Sequence, residues 1–188
     1  MIRRQINNNY VFLDKVNTQI KSNLLKFRRI SIIINISNEN KKEIEGIVKF
    51  AKQFKIPFFI KNSFKDSIKY KSAGIFIESV NKRIQRPYLL KKKFVIIGSV
   101  HNQLEYAQKI KQGCSILTFS PIFFNEKYSK NKILGILKFN LTTLNWNKEI
   151  SALGGINLRN LKKIKLTRAK SVSFHKLIFS SDIKKPAL

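Results

Sequence analysis

The sequence predicts a compact (β/α)8 barrel, on three observations. Eight apolar, β-branched runs of strand length recur along the 188 residues. Amphipathic helical periods lie between several of them. Short strings of small and polar residues follow three of the runs: Ile96-Ile97-Gly98-Ser99-Val100-His101-Asn102, Phe119-Ser120-Pro121-Ile122-Phe123 and Ala152-Leu153-Gly154-Gly155-Ile156-Asn157. Strands buried on both faces read as continuous apolar runs, and a parallel barrel keeps its chemistry on the loops after its strands.

The runs, in order, are Tyr10–Leu13, Ile30–Ile36, Pro57–Ile60, Ala73–Ile77, Phe94–Ile97, Ser115–Phe119, Ile150–Leu153 and Lys170–Phe174. None approaches the ~18 apolar residues that cross a bilayer. After the second run, Ile44, Ile47, Val48 and Ala51 fall on one face of a helix. After the third, Asp66 starts a short helix. After the fifth, Asn102 stands as N-cap with Glu105 three residues on, then Leu104, Ala107 and Ile110, with Gly113 at the C′ position. After the seventh, Leu158–Leu166 reads as a helix capped by Asn157. The interval from Ser115 to Ile150 is long, and its segment Phe124–Lys132 reads as a loop over the sixth strand. An open doubly wound sheet is the alternative architecture, and no G-x-G-x-x-G string supports a dinucleotide site. The expected organisation is one domain over 1–188, with a core at about 10–178 and a tail at 179–188.

Lys and Arg number 38 against 10 Asp and Glu, a formal charge of +28. Such a charge invites a nucleic-acid reading. The basic residues, however, are spread along the whole length, without a basic tail or an arginine-rich block. The wealth of Lys, Asn, Ile and Phe is that of AT-rich codons. An anionic small molecule is therefore the expected partner, drawn in by the positive field, and a nucleic-acid-binding barrel is the alternative class. A homo-oligomer stays open. The single cysteine, Cys114, excludes a disulfide within the chain and a cysteine-based zinc site, and reads as a buried, inert thiol. The first residues carry charge without a following apolar stretch, so no signal peptide is expected and the cytoplasm is the default location.

Candidate site residues follow from the strand ends. Gly154-Gly155 is either a close backbone approach to an anion or a plain left-handed turn. His101, beside Ser99, is either a general acid/base group or a residue that only caps the next helix. Lys127 and Lys130 lie in the long loop as possible phosphate clamps or as solvated residues. His175, beyond the last run, reads as a surface or packing residue. Asp14 closes the first run and Glu78 follows the fourth. No pair of carboxylates has metal spacing.

These strings, in register, resemble the thiamine-phosphate synthase and TenI-like family of barrels. The family's I-I-G-x-S-x-H resembles Ile96–His101, and its G-P-x-F-P-T-x-T-K resembles Ser120-Pro121-Ile122-Phe123. Its A-x-G-G-I-x-x-x-N resembles Ala152–Ile156, and its N-D-x-x-D-L-A resembles Asn62–Ile68. Its D-G-V-H-L-G-Q-x-D resembles Ala73–Asn81. The resemblance runs from about residue 10 to 178. It implies binding of a phosphorylated thiazole or of thiamine phosphate, with Asn62, Ser99, Ser120, Lys130, Gly154 and Gly155 at the ligand and His101 as acid/base. It also implies magnesium held by aspartates, but those positions carry Ser63 and Asn81, and no metal ligand is assigned. The diphosphate-holding Q-L-R-x-K string has no counterpart in Ile30–Ser37. These departures fall on the coupling machinery of the synthase, and three outcomes stay open: a synthase-type transfer, proton transfer of the TenI-like kind, or binding without catalysis. A site filled by Phe76, Phe124 and Phe174 would mark the non-catalytic case.

Overall fold

A computed structural model describes residues 8–36, 41–84, 94–126, 129–175 and 178. Lys127 and the tail 179–188 lie outside the described residues.

Eight parallel strands close a barrel in sequence order: β1 (Asn8–Leu13), β2 (Ile30–Ile34), β3 (Phe58–Lys61), β4 (Gly74–Ile77), β5 (Val95–Val100), β6 (Ile116–Phe119), β7 (Glu149–Leu153) and β8 (Ser171–Phe174). Each coincides with one expected apolar run. β1 pairs with both β2 and β8, which leaves no free edge.

Helices cover the outside. Asn17 caps α1 (Thr18–Leu25), its side chain accepting from the Ile20 amide at 2.8 Å. Helix α2 (Lys41–Gln53) buries Ile44, Ile47, Val48 and Ala51, the face that the sequence period marks, and Phe50 besides. Helix α3 (Phe64–Lys69) is capped by Ser63, whose hydroxyl accepts from the Asp66 amide. Asp66 therefore sits in the first turn and does not start the helix.

Helix α4 (Gln103–Lys111) is capped by Asn102 as expected, and Gly113 follows it with φ +77°. Its inward face is not the expected one. Leu104 is 85% exposed, whereas Lys109 is fully buried. Inside the long interval a 3-10 turn (Lys130–Lys132) is followed by α5 (Gly135–Thr142). The expected helix Leu158–Leu166 is reduced to a 3-10 turn at Leu161–Leu166. Asn157 and Asn160 cap each other ahead of it: Asn157 Oδ1 accepts from the Arg159 and Asn160 amides, and Asn160 Oδ1 accepts from the Asn157 amide. Short crossovers of this kind explain how so few residues close the fold. Among the described residues, no helix is long and apolar enough to cross a membrane.

Candidate functional site

The barrel interior has two unlike halves. Across β1 to β5 it is filled by Tyr10, Ile33, Phe59, Phe76 and Ile97, with Phe12 packed against them. Across β5 to β8 the strand register joins Ser99 to Thr118, Thr118 to Ser151, and Ser151 to Ser171. Ser151 and Ser173 share a buried hydrogen bond of 2.8 Å. Hydroxyl side chains occupy far less volume than aromatic rings, so the space at the mouth lies on the β6–β8 side.

A cavity of about 380 Å³ occupies that space, with Ser120, Phe124, Gly154, Gly155, Ser173 and His175 among its walls. The Gly154-Gly155 turn has φ of +97° and +67°. A Cβ on Gly154 would stand 2.8 Å from Pro121 Cα, and one on Gly155 would collide with the Phe124 carbonyl oxygen. The bare turn thus lets the loop after β6 close down on it, and Phe123 N donates to Gly154 O at 3.1 Å. Asn160 Nδ2 holds Gly155 O at 2.8 Å. Among the described residues, the amides of Gly155 and Ile156 donate to no internal acceptor. The turn is therefore a packing device that also leaves these two amides without an internal acceptor. Of the three phenylalanines of the non-catalytic case, Phe124 and Phe174 line the cavity without filling it, and Phe76 lies within the barrel.

His101 faces a second cavity, of about 670 Å³, with Lys132 and Lys138 in its walls. Ser120 lines both. His101 Nδ1 lies 2.9 Å from Glu105 Oε2, and the same oxygen accepts from the His101 amide at 2.7 Å. A carboxylate only accepts, so it selects the Nδ1–H tautomer and fixes the ring. The capping carboxylate reaches back one residue beyond Asn102 to do this. Ser99 is buried within the barrel, and Lys130 is exposed on the loop.

Asn62 and Glu78 stand on the opposite rim, at the ends of β3 and β4. Asn62 has φ +57°; its side chain donates to Glu78 Oε2 at 2.6 Å and accepts from the Glu78 amide at 3.0 Å. Glu78 also pairs with Lys61 at 2.7 Å. Ser63 donates to Asp66 at 2.5 Å, and Asn81 Nδ2 reaches Asn62. Glu78 is thus already paired with a lysine, Asp66 is held by the cap of its own helix, and the positions between them carry the neutral Asn62, Ser63 and Asn81. This donor set does not fit magnesium, which binds through carboxylates and waters. Among the described residues no cluster of three or more His, Cys, Asp or Glu side chains could hold a metal ion.

Behind this rim lies Lys109. Its ammonium donates to Glu78 O at 2.6 Å, Asn81 O at 2.8 Å and Gln112 Oε1 at 2.8 Å, three acceptors for three protons. Burial lowers its pKa below the ordinary lysine value, opposed by Cys114, Glu105 and Glu78. Its stem packs on Gly98, where a Cβ would stand 2.9 Å from Lys109 Cδ and 2.7 Å from Cys114 Sγ. Cys114 is buried, and burial pushes its thiol up to about 11, as the inert reading requires.

The family model described as "Thiamine monophosphate synthase" matches residues 5–178. The chain belongs to this family. Among curated members, it is 26% identical over 146 residues to a thiamine-phosphate synthase of Prochlorococcus marinus, covering 77% of this chain and 42% of that protein. It is 24% identical over 120 residues to the thiamine-phosphate synthase of Helicobacter pylori (strain Shi470), covering 62% of this chain and 55% of that one. The match thus spans about half the length of these relatives. The fold is that of thiamine phosphate pyrophosphorylase from Pyrococcus furiosus, with TM-score 0.75 at 17% identity over 96% of this chain and 91% of that one. 3-Hexulose-6-phosphate synthase shares the architecture more distantly, with TM-score 0.64 at 9% identity over 94% of each chain.

Within this barrel Lys109 escaped the sequence reading, masked by Leu104, Ala107 and Ile110, whose helical period points at the wrong face. His175 is exposed and stacked on Phe12, as the reading of a surface or packing residue expects.

Proposed function

We propose that this barrel binds a phosphorylated small heterocycle, a thiazole phosphate or thiamine phosphate, in the cavity beside Gly154-Gly155, without a magnesium-diphosphate site. What carries the reading is the coincidence, on one wall, of an anion-ready turn and hydroxyls. The Gly155 and Ile156 amides and the Ser120 and Ser173 hydroxyls offer donors to phosphate oxygens. Phosphate sites in such barrels lie on the loops after the seventh and eighth strands. The apolar walls of Phe124 and Leu153 suit the ring. Family membership supports the ligand class.

The other rim argues against a second, diphosphate-bearing substrate. Lys61 already compensates Glu78, and Asn62 is bonded into the β4 loop. His101, oriented by Glu105, supplies a proton-transfer group next to Ser120. Any chemistry is therefore a proton shift on one bound ligand, of the TenI-like kind. The test is calorimetry with thiazole phosphate and with the unphosphorylated alcohol, each with magnesium and with EDTA. Binding of the phosphate ester alone, unchanged by EDTA, is expected. Absence of heat at millimolar ester, or EDTA-sensitive turnover of a pyrimidine diphosphate, would overturn the reading.

A further inference from the structure

His175, read from the sequence as a surface or packing residue, is one of two histidines in the chain. It is exposed at the mouth and lines the same cavity as Gly154-Gly155, whereas His101 lines the other one. Its ring lies parallel on Phe12, with centroids 4.1 Å apart and planes at 13°. Phe12 in turn stands edge-on to Phe76, at 5.0 Å and 88°. Phe76 is buried in the barrel core. The imidazole is therefore seated on an aromatic pedestal that rises from the filled half of the barrel and borders the open half.

Such a seat restricts the ring through its faces, whereas hydrogen bonding uses the ring plane. An imidazole held this way keeps its plane, and the nitrogens in it, at a fixed tilt to the cavity. The cavity's other polar groups are hydroxyls, amides and the carboxylate of Glu126. Neither lysine of the second cavity reaches it, and Lys130 is not in its wall. A phosphate monoester there has one basic side chain among its described neighbours, that of His175.

We infer that His175 is a ligand-binding residue: its imidazole donates to the phosphate of the bound ester, opposite the Gly155 and Ile156 amides. This rests on the proposed ligand class and adds the group that recognises its charge. The specificity that follows is for a monoester. One imidazole and a few neutral donors suit a single phosphate, while a diphosphate would bring a charge that this wall does not match.

With two histidines, proton NMR reads each ring separately, and the variants His101→Gln and His175→Phe assign them. Phenylalanine keeps the stack on Phe12 and removes only the donors. On titrating thiazole phosphate, the His175 ring resonance is expected to move, whether or not that of His101 moves with it. The His175→Phe variant should bind the ester about tenfold or more weakly, the weight of one hydrogen bond to a charged group. Its affinity for the unphosphorylated alcohol should not change. Undiminished binding by His175→Phe, or a response confined to His101, would overturn this inference and leave the proposed ligand standing. Failure of the unaltered protein to bind the ester would overturn both.

Discussion

Replacing Lys109 by methionine tests how the rim of the mouth is held. Methionine keeps most of the buried stem and deletes the ammonium. Three acceptors lose a donor, but not equally. Asn81 O retains Gln112 Nε2 at 2.8 Å. Glu78 O retains the Asn81 amide at 3.1 Å, so Gln112 Oε1 alone is left without a donor. A buried acceptor left unpaired costs about 1–3 kcal/mol. Against this, the variant no longer buries a charge, and apolar replacement of buried ions is at times neutral or better. The orphaned Gln112 Oε1 decides the balance here, and we expect a net loss of about 1 kcal/mol. For a chain of this length that lowers Tm by about 2–4 °C. The pH dependence has a definite sign. Because the folded pKa of Lys109 is depressed below 10.5, its burial costs stability below the folded pKa. That cost is relieved as pH rises toward 10.5, where the unfolded chain still binds the extra proton. The unaltered protein should therefore gain on the variant as pH rises toward 10.5. Scanning calorimetry of both proteins across that range is the assay. An equal or higher Tm for Lys109→Met would refute the view that this network holds the β4 rim.

Further outcomes follow from single features. Gly155→Ala should cost about 2 kcal/mol or more, since its Cβ would press on the Phe123 and Phe124 carbonyls at positive φ, and should also abolish ester binding; a urea titration and calorimetry read the two effects. Cys114 should resist a thiol reagent at pH 8 in the folded protein and react promptly in denaturant, because burial raises its thiol to about 11. Tyr10, raised to about 12 mainly by burial, should ionise above the ordinary tyrosine range in an ultraviolet titration. That same shift is worth roughly 2–3 kcal/mol of stability, present below pH 10 and lost as pH rises toward 12.

The strands were legible because both their faces are buried, so only small hydroxyl residues and no charged ones interrupt the runs. Ile30–Ile34 is buried at every position and could be read directly. Caps were legible where the bond is local, as at Asn102. What escaped depends on distant partners. Nothing near Lys109 in sequence announces carbonyl acceptors from residues 78 and 81, and a lysine on a helix reads as solvated. The helix after β7 failed because Asn157 and Asn160 satisfy each other and leave only a 3-10 turn. The site strings marked the right end of the barrel. They did not show that the end is divided, with His101 and Gly154-Gly155 in separate cavities that meet at Ser120.

The central claim is a single-phosphate site beside Gly154-Gly155 in a barrel whose opposite rim is closed to a metal diphosphate. A crystal structure with thiazole phosphate soaked in tests it most directly. The account predicts phosphate density within hydrogen-bond distance of the Gly155 and Ile156 amides, with no metal at Glu78. Phosphate lodged against Asn62 and Glu78 instead, bridged by magnesium, would contradict it.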